Sequence, residues 1–243
     1  MDLENKGCFR EDLGFMAEKK ETAQKPKKAS TKATAKAGST KAPKEEKQPA
    51  KKATKKPTMT QMKKVNALVI ALSDASRRAR QDASHELAEL AHIAPLAFEE
   101  HIDSLIDALY RPEAQTRWEV LDALANLSAH FGDQVFKAFD AAEASLFDDD
   151  SATVRLAAFL FLCQYGATSA KHSDEAWPLL DEAVQCYHGD AEYHDMLQGL
   201  LALAHGTISK DVKKALSQRM KFDAENATGY IKQYSEEIVA ATK

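Results

Sequence analysis

The sequence predicts an all-α protein, a stack of antiparallel helix pairs preceded by a lysine-rich tail without regular structure. Three observations carry this. Apolar residues recur at helical offsets in four registered copies, 37, 38 and 38 residues apart. Alternation of period two, the mark of a half-buried strand, is missing. The charges are divided into two opposite blocks.

The copies align on Arg80, Arg117, Arg155 and Tyr193. Three positions on stand Ala83, Val120, Ala158 and Met196; seven on stand Leu87, Leu124, Leu162 and Leu200. Ten on stand Leu90, Leu127, Tyr165 and Leu203. Offsets of three, seven and ten fall on one face of a helix, so each copy offers one stripe to a core. A second helix is expected between copies, over 95–110, 133–147 and 174–187, with Ile102, Leu105, Ile106 and Leu109 at helical spacing. Pro95 and Pro112 stand where helices should start, a place that tolerates proline. Gly132, Gly166 and Gly206 stand near expected helix ends, where a left-handed cap favours glycine. Two more helices, over 209–219 and 229–242, are expected to cap the stack.

Two helices per period of about 38 residues resembles the HEAT-repeat (armadillo-like) α-solenoids. Locally, the closest match is the turn and helix start from Asp148 to Arg155. The resemblance spans roughly 60–206 and implies a right-handed α-solenoid. It also implies an Asp–Arg ladder between neighbouring repeats, built here from Asp74 with Arg80 and from Asp149 with Arg155, six residues apart in each case. Arg117 keeps the register, but Arg111 stands where its acid should be. The expected division is a tail over 1–58, repeats over 59–208 and capping helices over 209–243.

The two charge blocks meet near the first expected helix. From position 19 to 64 there are 16 lysines against three acids, a balance of +13; from 65 to 243 there are 15 bases against 29 acids, a balance of −14. The first block has almost nothing to bury, and a chain that removes no apolar area from water cannot offset its conformational entropy. The segment around Lys51, Lys52, Lys55 and Lys56 resembles linker-histone tails in composition. That likeness implies non-specific contact with nucleic-acid phosphates by counterion release. Lysine without arginine argues against reading of bases, and docking on the acidic body is the rival use of the same charge. Met16 and the residues after it read like a natural start, which makes 1–15 an expected upstream extension.

Chemistry-bearing patterns are weak. Cys8, Cys163 and Cys186 are too few and scattered for a disulfide framework or zinc cluster. Glu89 and His92, with His85 nearby, have the spacing of di-iron bundles, but no second copy of the motif exists. Cys186, His188, Asp190 and His194 match no zinc spacing. There is no phosphate-binding glycine loop and no nucleophile with an adjacent base. Trp118 and Asp122 resemble part of the groove of HEAT-like alkylpurine DNA glycosylases. Those enzymes present basic grooves, whereas this body is acidic and lacks the rest of their constellation. No enzyme, metal or cofactor is expected. Neither a membrane span nor a signal peptide is visible, so a cytoplasmic protein is expected.

The resemblance implies that the second helix of each pair lines one surface. On it, the positions after the registered residues are Gln81, Trp118, Leu156 and His194; four further on are His85, Asp122, Leu160 and Gln198. These form an expected strip for a partner protein, with Trp118, Leu156 and Leu160 as apolar anchors. Packing of the two leucines against the next repeat is the alternative. The expected function is a scaffold for protein–protein interaction.

Overall fold

A computed structural model describes residues 56–243; the expectations for 1–55, including Lys51, Lys52 and Lys55, lie outside the described residues. The described chain is helical throughout. Its helices are α1 (Met59–Ala71), α2 (Arg77–Ile93), α3 (Ile102–Ala108), α4 (Ala114–Val135), α5 (Phe139–Leu146), α6 (Ala152–Gly166), α7 (Ala170–Cys186), α8 (Tyr193–Ala204), α9 (Lys210–Asn226) and α10 (Gly229–Ala241). Short 3₁₀ turns precede α3, at Pro95–Phe98, and α5, at Phe136–Ala138.

Starts are set by side chains that accept the otherwise orphaned first N–H groups. Ser76, Ser151, Ser169 and Ser209 cap α2, α6, α7 and α9 in this way. Thr58 and Gln61 form a reciprocal capping box at α1.

The even-numbered helices form one layer, α2 on α4, α4 on α6, α6 on α8 and α8 on α10. The remaining helices lie in the other layer, with α1 against α2, α3 against α4, α5 and α7 against α6, and α9 against α10. All twelve registered apolar residues, from Ala83 to Leu203, are buried. The periodicity therefore marks the inward stripe of α2, α4, α6 and α8. The last pair continues the same pattern, with α9 against α7 and α10 against α8.

Several expected helices differ in outline. Those over 174–187 and 209–219 are longer, as α7 (Ala170–Cys186) and α9 (Lys210–Asn226). The one over 95–110 is split into a 3₁₀ turn and a seven-residue α3, with the backbone leaving helical geometry at His101 (φ −120°, ψ 0°). The one over 133–147 begins later, because α4 runs through Gly132 to Val135 with a kink at Phe131 (φ −134°, ψ 34°). Nothing in the local sequence stops α4 at the glycine.

The glycines have another role than the expected one. Positive φ occurs among the described glycines at Gly189 (83°) and Gly229 (63°), not at Gly132, Gly166 or Gly206. These three sit where neighbours approach closely. A Cβ on Gly206 would lie 2.6 Å from the Cα, Cβ and carbonyl oxygen of Ala167. The N–H of Thr207 donates to that same carbonyl at 2.8 Å, fixing the ends of α6 and α8 together. Backbone cannot yield as a flexible side chain does. Gly206→Ala is expected to cost about 2–3 kcal/mol. Chemical denaturation would check it, and a loss below about 0.5 kcal/mol would show that the turn adapts.

Candidate functional site

Two features connect consecutive helices of the even-numbered layer: a partly buried row of arginine–carboxylate pairs and an exposed strip of mixed chemistry.

The arginine row is made by Arg80, Arg117 and Arg155, each early in its helix. Arg80 donates to Glu113, Arg117 to Asp148 at 2.5 Å and Arg155 to Glu192 at 2.8 Å. In each case the carboxylate stands at or just before the start of the next even-numbered helix. There it also faces the positive end of that helix. Arg80 further donates to the carbonyls of Asp74 and Ala75, and Arg155 to that of Asp148. The Arg155 guanidinium lies over the Tyr187 ring, 5.2 Å from its centroid.

This corrects the expected acids. The Asp74 carboxylate accepts from the N–H of Ser76, and only its carbonyl meets Arg80. Asp149 is exposed, while its neighbour Asp148 takes the Arg117 contact and also accepts from the N–H groups of Asp150 and Ser151. The true partners stand four, seven and one residues ahead of Arg117, Arg155 and Tyr193. Those uneven offsets hide them from a search at fixed spacing. The Arg80 hydrogen bond holds the Glu113 carboxyl below its ordinary pKa against the opposing effect of burial. Burial raises that of Asp148, but the Arg117 hydrogen bond and the Asp150 N–H outweigh it, and the net shift is downward.

The strip residues lie on the open side of the same layer. Gln81, Trp118, Asp122, Leu156, Leu160 and His194 are half-buried; His85 and Gln198 are exposed. Trp118 and Leu156 pack against the core with part of their surface left free. Leu160 is turned toward α8: a Cβ on Gly199 would sit 2.8 Å from its Cδ2. Leu160 thus packs on the next repeat.

At the α2–α4 end the strip is acidic and histidine-rich. His85 Nδ1 and Glu119 Oε1 are 2.9 Å apart. His92 Nε2 lies 3.8 Å from Asp122 and 3.2 Å from Asn126, whose amide donates to the Asp122 carbonyl. Glu119 is only 4% exposed. Burial pushes the carboxyls of Glu119 and Asp122 above their ordinary pKa. The hydrogen bond that His85 donates to Glu119, and the charge of that carboxylate, raise the pKa of His85. Glu119→Gln is therefore expected to lower the titration midpoint of His85 in NMR spectra of the imidazole; an unchanged midpoint would mean the pair does not form.

At the other end the strip is aromatic. His194 lies edge-on to Tyr230 and Tyr234 of α10, with ring centroids 5.2 and 5.3 Å away, and Gln198 lies 3.1 Å from its Nδ1. Glu119, His92, Tyr230 and Tyr234 join the strip only in the folded chain. Glu119 sits beside Trp118 in sequence, and that proximity was the available signal.

Among the described residues no three His, Cys, Asp or Glu side chains converge to hold a metal ion. Cys163 is buried, and burial pushes its thiol well above the ordinary range. No helix among the described residues is long and apolar enough to cross a membrane.

No protein-family model matches the chain, and no curated protein does. Solved structures do. A designed armadillo repeat protein in complex with the peptide (KR)4 superposes with a TM-score of 0.59 at 17% identity, covering 76% of this chain and 86% of that one. Another designed armadillo repeat protein gives 0.56 at 17% identity, over 73% and 81%. Computationally designed armadillo repeat proteins for modular peptide recognition give 0.54 at 18% identity, over 73% and 81%. Identities this low speak to fold alone. With the two-layer stack and the registered core, they give the chain the fold of an armadillo/HEAT-like α-solenoid.

Proposed function

We propose that the chain is a non-enzymatic scaffold that holds a segment of a partner protein, carrying basic and large apolar side chains, along the exposed strip of α2, α4, α6, α8 and α10. The observation that carries this reading is the pairing of Trp118 with carboxylates on the same helix. A half-buried tryptophan offers a large rigid surface at small entropic cost, the usual make-up of a binding hot spot. Beside it, the half-exposed Asp122 has His92 as its cationic neighbour rather than lysine or arginine, and the buried Glu119 adds charge beneath the surface. A lysine or arginine from a partner fits there by charge. Tyr230, Tyr234 and His194 extend the strip with rings that suit apolar or guanidinium contacts. The likeness to an armadillo repeat protein complexed with (KR)4 supports the same chemistry. The test is fluorescence anisotropy of a labelled peptide of alternating lysine and arginine with one central leucine, read against the Trp118→Ala variant. Equal binding by both proteins would remove the strip as the interface.

A second reading rests on the block of +13 between 19 and 64, which suits non-specific contact with duplex DNA or RNA. The full chain is then expected to bind duplex DNA at low salt, with affinity falling steeply as salt rises. A chain beginning at Met59 is expected to bind at least tenfold more weakly. Equal binding by the two would rule out this use of the lysines.

A further inference from the structure

We infer that the outward face of α9 is a second docking surface, one that takes an acidic segment of a partner protein bearing a large apolar side chain. Lys210, Lys214, Gln218 and Phe222 recur every four residues along α9, and all four are exposed. Lys213 and Ser217 flank this column, and Lys243 closes it from the end of α10. Lys210, Lys213, Lys214, Ser217, Gln218 and Lys243 line an open groove of about 540 Å³, and Phe222 lies beyond it, one turn further along the column.

Three observations mark the surface. Its charge is opposite to the net charge of the chain from 65 to 243, which is −14 with these lysines included. Its lysines also differ from most of the others along the helices. Lys64, Lys137, Lys171, Lys221 and Lys232 each lie within 4.0 Å of a carboxylate. Among the described residues Lys210, Lys213, Lys214 and Lys243 form no such pair, even with Asp211 on the same turn. Lys210, Lys213 and Lys214 sit in the first turns of α9, where positive charges oppose the macrodipole and an incoming anion relieves it. Finally, the column ends in Phe222, which is 71% exposed. The ring lies about 18 Å along the helix axis from Lys210. An occupant therefore needs acids at one end and an apolar side chain at the other.

A polyphosphate fits less well. The lysines gather at one end and the single ring at the other, whereas single-strand binders interleave bases with several aromatic platforms. The net negative solenoid also repels a long polyanion, while a short acidic segment meets only the local lysines.

The test uses the full chain and a fluorescein-labelled helical peptide with three glutamates in its first two turns and a leucine twelve residues beyond the first. Wild type is expected to bind at low salt. Lys213→Glu with Lys214→Glu is expected to weaken binding at least about tenfold. Phe222→Ala is expected to weaken it about threefold to tenfold, and replacing the peptide leucine by serine should do the same. Trp118→Ala should leave it within about twofold, which separates this surface from the strip. If the lysine pair variant melts early, Lys210→Glu with Lys243→Glu is read in its place. No binding by wild type, or equal binding by the charge-reversed variant, overturns the proposal. So does a labelled oligo-dT that binds more tightly than the peptide and loses affinity through the same lysines, since the surface would then be one for nucleic acid.

Discussion

Trp118→Ala is expected to weaken binding of the basic, leucine-bearing peptide by about 30-fold or more, the equivalent of roughly 2 kcal/mol. The physical reason is that Trp118 combines apolar area with position. Part of it packs on the core, so its orientation is fixed before a partner arrives. Asp122, one turn further on, supplies charge next to that surface. Trp118→Phe is expected to retain most of the affinity, because the ring remains and no hydrogen bond of the indole is invoked. Asp122→Asn is expected to lower affinity less than the tryptophan change, since Asp122 is half-exposed and screened by water and salt. Its effect should shrink as salt rises, whereas that of Trp118→Ala should persist. A tryptophan effect that disappears in high salt would show that charge, not apolar contact, holds the peptide.

Arg155→Ala is expected to destabilise the chain by about 3 kcal/mol, and to lower the melting midpoint by roughly 6–12 °C. Arg155 has 16% of its side-chain surface exposed and Glu192 10%, so the pair is largely desolvated. Removing the guanidinium leaves the Glu192 carboxylate and the Asp148 carbonyl without that donor. It also strips the cation from the Tyr187 ring. The double replacement Arg155→Met with Glu192→Leu is expected to recover most of the loss, because the cost comes from the stranded partner more than from the missing attraction. A double-mutant cycle checks this: coupling below about 0.5 kcal/mol would show that the row contributes register without stability. Arg80 and Arg117 tie the earlier pairs in the same way. The three contacts form a continuous line through the α2–α8 layer, which carries the strip.

The core needed only the sequence. Twelve positions at helical offsets were enough to place the inward stripe of α2, α4, α6 and α8, because burial of a stripe demands periodicity and periodicity is written along the chain. Trp118 and Asp122 were readable as neighbours for the same reason, being one turn apart on one helix. The tertiary structure decided what depends on juxtaposition. Glu113, Asp148 and Glu192 became the carboxylates of the arginine row, because helix starts are placed by loops of unequal length. Gly132 did not end α4, and Gly206 proved a contact point, because a glycine has no side chain to announce which neighbour needs its space. Glu119 met His85, and His194 met Tyr230 and Tyr234, across interfaces between helices more than thirty residues apart in the chain. Local periodicity determines which face of each helix turns inward; only the packing of one helix on the next decides which side chains share the surface left outside.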